Sequence, residues 1–212
     1  MTKCFRYLLM FNLPNYLTAP GFGLFILAGC YITGVPATGR GLFYGYFNMF
    51  PSMLLLVAMF SGTAYTTSSL NHALSFGARR TDYFWGMMGQ ILFSTLIYSL
   101  LNAAFLALPE ALGWHPDFNG VAYSPIFPLS LVTWHAVGCA VGRLPIRSRV
   151  WGGVISGVSV FLLLLNPIYD TVVTHTGNLW GDLPWLTLSA SVFVTFVCLF
   201  WSYGVIQNAT VR

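Results

Sequence analysis

The sequence predicts an all-α membrane protein with six transmembrane helices, in a single transmembrane domain over residues 1–212. Of its residues, 57% are hydrophobic and 7% are charged, whereas a soluble domain usually carries about 25% charged residues. These few charged side chains are too scarce to coat a soluble surface. They are also clustered, which leaves six charge-free intervals. Each interval can hold a spanning helix of roughly 20 residues.

The predicted spans follow these intervals and are Leu17–Val35, Asn48–Ser68, Tyr83–Leu108, Ile126–Gly142, Trp151–Ile168 and Trp185–Ile206. Their orientation follows from the basic residues, because cytoplasmic loops carry an excess of Lys and Arg. In the six-span layout every Lys and Arg except Arg40 falls on one side of the membrane. Both termini are therefore expected in the cytoplasm.

Residues 2–12 precede Pro14 and combine Lys3 and Arg6 with apolar side chains. This pattern predicts an interfacial elbow helix that lies on the inner surface of the membrane. A signal peptide is disfavoured because Asn12 and Pro14 interrupt the apolar run and no good cleavage site follows.

The longest polar interruption between the first apolar runs covers residues 69–84. Small or apolar residues recur in it at i, i+3, i+4 and i+7, namely Leu70, Ala73, Leu74 and Gly77. This spacing predicts a short helix over 70–77. Gly77 suits the left-handed residue that ends a helix. Thr81 is predicted to cap the next helix, with Asp82 in its first turn, where the helix dipole favours a negative charge.

The segment Asn71-His72-Ala73-Leu74-Ser75-Phe76-Gly77-Ala78-Arg79-Arg80 resembles the cytoplasmic coupling helix between spans two and three of type-2 ATP-binding cassette (ABC) exporter permeases. The resemblance implies that this helix docks into a groove on an ABC ATPase subunit. The residues expected at that contact are Leu70, Asn71, Ala73, Leu74, Phe76, Gly77, Arg79 and Arg80. Arg79 and Arg80 would pair with acidic groups of the ATPase or with anionic membrane lipids. The alternative is an ordinary basic cytoplasmic loop.

The same resemblance implies a multi-pass half-subunit in a bacterial-type inner or plasma membrane. It would pair with a second permease subunit, identical or paralogous, and with separate ATPase subunits that bind ATP and Mg²⁺. No cofactor is expected in this chain. The expected substrate of export is amphipathic, such as a peptide, an antibiotic or a lipid-like molecule. The alternative function is a membrane sensor or immunity subunit that binds a toxic peptide without transporting it.

Enzymatic chemistry is not expected of this chain. It has no Gly-x4-Gly-Lys-Ser/Thr phosphate-binding loop, so ATP hydrolysis would fall to the partner. The predicted spans contain no carboxylate, and no pair of His residues has the spacing of metal ligands. No fused soluble domain and no nucleic-acid partner are expected.

His135, next to Trp134 in the fourth predicted span, is the one strongly ionisable side chain within the spans. An ionisable residue at that depth is a candidate functional residue. A neutral imidazole that packs against a neighbouring helix is the favoured interpretation. A possible substrate path includes His135, Trp134, Thr63 and Thr66. The threonine hydroxyls could instead bond to a neighbouring helix, and the Gly138/Gly142 spacing permits a close helix contact.

Overall fold

The computed structural model describes residues 2–33, 42–111, 127–142 and 184–209. These residues form helices α1 Thr2–Thr33, α2 Leu42–Thr66, α3 Ser68–Ser75, α4 Arg80–Ala111, α5 Phe127–Val141 and α6 Pro184–Gln207, with no strand among them. The prediction of an all-α protein is confirmed. Two stretches, Phe50–Ser75 and Arg80–Ala107, are long and apolar enough to cross a membrane. The predicted fifth span, Trp151–Ile168, lies outside the described residues.

The N-terminal helix differs from its prediction. Residues 2–12 do not form a separate elbow, because α1 continues without a break through Pro14 and Pro20. Its 32 residues extend about 48 Å at 1.5 Å per residue. The physical reason is packing: Leu8 and Asn12, before the expected break, and Ala19, after it, are all buried in the bundle. Proline is tolerated inside such helices where neighbouring groups satisfy the freed backbone.

Helices α2 and α3 are almost continuous, with only Thr67 between them. The Thr67 hydroxyl donates to the carbonyl of Thr63 at 2.8 Å instead of capping α3. Hydroxyls that bond back to the preceding turn bend helices. The short helix predicted over 70–77 is therefore present, but it begins two residues earlier, as the bent end of α2.

The closest helix contact joins α2 and α5 through glycines. A β-carbon added to Gly138 would overlap the backbone carbonyl of Met59, and one added to Gly62 would overlap that of His135. A β-carbon added to Gly142 would lie 2.5 Å from the hydroxyl of Thr66 and 2.7 Å from the carbonyl oxygen of Thr63. Small residues at such contacts let two backbones approach closely. The contact expected from the Gly138/Gly142 spacing is thus present.

The buried apolar residues form two clusters along the bundle. The first cluster contains Ala19, Phe50, Leu54, Leu55, Ala58, Met59, Tyr98, Phe105, Phe127 and Leu131. The second contains Cys4, Leu8, Tyr65, Leu70, Ala73, Tyr83, Met87, Ile91, Cys139, Ile206 and Ala209. Stacked rings of Phe50 and Phe105, 4.0 Å apart between centroids, join α2 and α4 in the first cluster.

Candidate functional site

The end of α3 forms a complete Schellman motif around Gly77. The Gly77 amide donates to the carbonyl of Leu74 at 3.0 Å, and the Ala78 amide donates to that of Ala73 at 3.0 Å. Gly77 has φ +79° and is the one residue with positive φ in the described part of the chain. The left-handed helix stop that the sequence predicted is confirmed.

The apolar face of α3 turns inward. Leu70 is fully buried and Ala73 is 6% exposed, both in the second cluster, and Leu74 packs against that cluster from its edge. Leu70 and Ala73 therefore hold α3 onto the bundle and are not available to a partner. The cause is the near-continuity of α2 and α3, which extends the buried stripe of α2 into α3. The surface left outside includes Phe76, which is 84% exposed, and Asn71.

The arginine corner follows directly after the glycine stop. Helix α4 begins at Arg80, and the Arg79 carbonyl accepts the amide of Tyr83 at 2.9 Å. The residue at the capping position is therefore Arg79. The prediction of Thr81 as the cap is wrong, because Thr81 lies within the first turn of α4. Asp82 is in that turn, as expected. The Arg80 guanidinium donates to the carbonyl of Ala209 at 2.7 Å and so links this corner to the end of α6.

An open groove with a volume of about 430 Å³ lies beside this corner. Its walls are formed by Leu74, Ala78, Arg79, Arg80, Thr81 and Gln207. It joins the α3 stop, the start of α4 and the end of α6. Three of the residues expected to couple to a partner, Leu74, Arg79 and Arg80, thus meet at one surface, next to the exposed Phe76.

A layer of polar side chains separates the two apolar clusters. In each of α1, α2, α4 and α5 a buried polar residue lies in sequence between members of one cluster and members of the other, namely Asn12, Ser61, Ser94 and His135. The layer contains Asn12, Asn15, Tyr16, Ser61, Gln90, Ser94 and His135. Because buried polar groups are costly unless they are hydrogen-bonded, a layer this deep in an apolar bundle is a candidate site.

Hydrogen bonds connect this layer across three helices. Asn15 donates to the side-chain oxygens of Asn12 at 3.2 Å and Ser61 at 3.3 Å. Asn12 also donates to the hydroxyl of Tyr65. The Tyr16 hydroxyl bonds to that of Ser94 at 2.5 Å and accepts the amide of Gln90 at 2.5 Å. These bonds tie α1 to α2 and to α4.

His135 sits in this layer with its ring packed against neighbouring helices. Its Nδ1 lies 2.9 Å from the carbonyl of Leu131, one turn back on α5. Since a carbonyl only accepts, Nδ1 carries a proton and donates it to this bond. Nε2 is buried without a hydrogen-bond partner among the described residues. The ring is parallel to those of Tyr65 and Tyr98, at centroid distances of 6.4 and 6.3 Å.

The other residues of the predicted substrate path take part in helix packing. Thr66 is fully buried and donates to the carbonyl of Cys139 at 2.9 Å, so it bonds to a neighbouring helix. Thr63 donates to the carbonyl of Met59 in its own helix at 3.0 Å. Trp134 is half-buried against the first cluster. Of the four, only His135 belongs to the polar layer.

Sequence reasoning singled out only His135 from this layer. Gln90 and Ser94 are uncharged and unremarkable within their predicted span, and Asn12 lies in the predicted elbow. The one feature that could have indicated the layer was the amide of Gln90 in an otherwise apolar predicted span, since an amide within the membrane needs a hydrogen-bond partner. The partners come from helices far apart in sequence, such as Tyr16 for Gln90.

The polar groups of the layer and of the groove are suited to binding and packing. No three His, Cys, Asp or Glu side chains come together as a metal site in the ranges that the structure describes. Burial raises the pKa of the Cys4 thiol, so this cysteine is protonated at neutral pH and is a poor nucleophile. The polar layer offers uncharged donors and acceptors, and the groove offers guanidinium groups.

Comparison with known proteins shows no matching family model, no matching curated protein and no matching solved structure. Function is therefore inferred from the chain's own residues and their geometry.

Proposed function

We propose that this chain is the membrane-spanning half-subunit of an ABC exporter, with six spans and both termini in the cytoplasm. Separate ATPase subunits bind and hydrolyse ATP, and a second permease subunit, identical or paralogous, completes the pathway. The end of α3 is the joint to the ATPase. Closure of the ATPases moves α3 and tilts the helices packed on it, so that an amphipathic substrate is exported.

The observation that carries this proposal is the rigid α3 stop with an exposed aromatic tip. The Schellman motif fixes the direction of the chain at Gly77. It leaves Phe76 84% exposed next to the exposed Arg79. A large aromatic side chain flanked by cationic groups is typical of an interaction surface, where aromatic anchors carry much of the binding energy.

The position of α3 supports transmission of movement into the bundle. Leu70 belongs to the same cluster as Leu8 of α1 and Tyr83 of α4. Arg80 extends the connection to Ala209 at the end of α6. A displacement of α3 is therefore passed to α1, α4 and α6 through direct contacts. The polar layer lies immediately beyond this cluster, where a shift of the helices would change its hydrogen bonds.

Co-purification with an ABC ATPase tests this function. The chain is tagged and expressed with its genomic neighbours, and the associated ATPase is identified by mass spectrometry and by ATP hydrolysis. Phe76→Ser removes the exposed anchor and is expected to weaken association by about 2 kcal/mol, roughly 30-fold. Met10→Ser is the matched control, because Met10 is 62% exposed on α1 and does not belong to the cluster that α3 contacts.

Comparison with Leu70→Ala distinguishes a loss of ATPase docking from a loss of packing within the chain. It removes a fully buried side chain, so it is expected to lower stability by about 2–5 kcal/mol, whereas Phe76→Ser leaves stability unchanged. An equal loss of ATPase association in the Met10 and Phe76 variants, or association of no ATPase with the wild-type chain, would refute the assignment. Specific capture of an extracellular peptide without ATPase would instead indicate a sensor or immunity subunit.

A further inference from the structure

We infer that the groove between α3, α4 and α6 binds the phosphate of an anionic membrane lipid. The groove has a volume of about 430 Å³, which is within the range of about 300–1,000 Å³ typical of small-molecule sites. The inference rests on the proposed membrane topology, which puts this groove at the cytoplasmic ends of the helices.

The polar groups of the groove are suited to an anion. Arg79 and Arg80 bring two guanidinium groups to its wall. Arg80 uses one N–H for the carbonyl of Ala209, and a guanidinium has five N–H donors. Planar guanidinium groups match phosphate geometry with paired hydrogen bonds. Thr81 adds a hydroxyl at the same wall.

Gln207 supplies an independent indication of a missing partner. Its side-chain nitrogen is buried and has no acceptor among the described residues, although it lines the same groove. A buried amide donor without a partner costs about 1–3 kcal/mol, and more where the absent partner would be charged. A phosphate oxygen in the groove is the acceptor that we assign to this donor, and the Gln207 side chain must turn to meet it, since its nitrogen is itself buried.

Asp82, the acidic residue nearest in sequence to the two arginines, does not line the groove. Asp82 lies near Cys4 of α1, because its charge adds to the effect of burial in raising the pKa of that thiol. Gly86, one turn further on, is also in contact with Cys4. Among the described residues that line the groove, none carries a carboxylate.

The surroundings favour a lipid over free phosphate. Leu74 and Ala78 form an apolar wall beside the arginines, suited to the glycerol and first acyl carbons. Trp85, one turn into α4, is 59% exposed, as is typical of aromatic residues at the membrane interface. Basic pockets between membrane helices on the cytoplasmic side bind anionic head groups in the same way.

The test uses the full chain purified in detergent, with no ATPase present, and native mass spectrometry. The probes are phosphatidylglycerol, diacylglycerol with the same acyl chains, and inorganic phosphate. We expect one phosphatidylglycerol per chain, bound at least about tenfold more tightly than either other probe, which corresponds to about 1.4 kcal/mol. The double variant Arg79→Gln/Gln207→Leu is expected to lose at least this factor. Arg6→Gln, which removes an exposed basic charge from α1, is expected to bind like the wild type.

Three results would overturn the inference. Unchanged lipid binding in the double variant would remove the groove as the site. Equal affinity for diacylglycerol would show that the phosphate is not recognised, and equal affinity for inorganic phosphate would show a free-anion site. If the double variant does not fold, Gln207→Met is measured alone, and unchanged binding again counts against the groove. Loss of ATPase association would refute the exporter function but would leave these binding results intact.

Discussion

Gly77 is the described residue whose backbone conformation most strongly restricts which amino acid can replace it. At φ +79° a residue with a β-carbon meets a steric cost, and a β-branched one pays about 1–2 kcal/mol. No atom lies within 4 Å of a β-carbon added there, so the penalty is conformational and not due to crowding. The sequence predicted this residue correctly because a glycine after a short apolar stripe has few other structural uses.

Gly77→Val is therefore expected to loosen the α3 stop without unfolding the bundle. A penalty of about 1–2 kcal/mol should speed hydrogen exchange of the Gly77–Ala78 segment by roughly 5- to 30-fold. Gly204→Val is the control, since its added β-carbon also meets nothing within 4 Å but its backbone is helical. Equal exchange in both variants would show that the positive φ is not maintained in solution.

His135 is expected to act as a packing residue and not as a proton carrier. Its Nδ1–H bond is to its own helix, and its ring packs parallel to two tyrosines. His135→Gln keeps a polar side chain of similar reach, so most transport activity should remain in a reconstituted complex. Complete loss of transport by a normally assembled complex would assign His135 a direct role. The tyrosine neighbours could not be predicted, because they come from α2 and α4.

Among the helix contacts, the one between α2 and α5 depends on glycine at Gly62 and Gly138, where there is no room for a β-carbon. A β-carbon on Gly138 would overlap the backbone of Met59, which cannot move aside like the end of a flexible side chain. Gly138→Ala should therefore separate the helices and lower the free energy of unfolding by about 1–3 kcal/mol, the usual cost of overpacking. Thermal unfolding in detergent measures this, with Gly204→Ala as the unhindered control. Equal stability of the two variants would contradict the contact.

The sequence predicted where the helices begin and end better than it predicted which side of each helix is buried. Predicted spans four and six, Ile126–Gly142 and Trp185–Ile206, agree with α5 and α6 to within a residue at each end, since charges and hydropathy mark where apolar runs stop. The inward face of α3 was not predictable, because Leu70 and Ala73 show the same spacing whether they pack on their own bundle or on a partner. Likewise, Pro14 suggested a break that packing of α1 suppresses.

For the whole molecule, the charge distribution predicts six spans with both termini inside. A cysteine introduced at Asn178 or Gly120 should be labelled by an impermeant maleimide added from outside intact cells, because both positions are predicted to lie in outer loops. A cysteine at Ser148, in the basic inner loop, should react only after permeabilisation. The reverse pattern would overturn the topology and the proposed function with it.

The polar layer could not be predicted from the sequence, because its residues come from separate helices. Its hydrogen-bonded pairs are separated by as many as 78 positions, as in the bond between Tyr16 and Ser94. None is charged, so no single span shows an anomaly except at His135. Hydropathy indicates that these segments can cross a membrane, but only the packing of α1, α2, α4 and α5 shows that their polar residues share one level.

The central claim, that the tip of α3 touches an ATPase, is tested most directly by photo-crosslinking in intact membranes. A photoreactive residue is placed at Phe76, which is 84% exposed, and in a second variant at Leu100, which is 62% exposed along α4. We predict an adduct between position 76 and a subunit that carries ABC ATPase motifs, and lipid adducts alone from position 100. Lipid adducts alone from both positions, with the ATPase present in the same membranes, would contradict the claim.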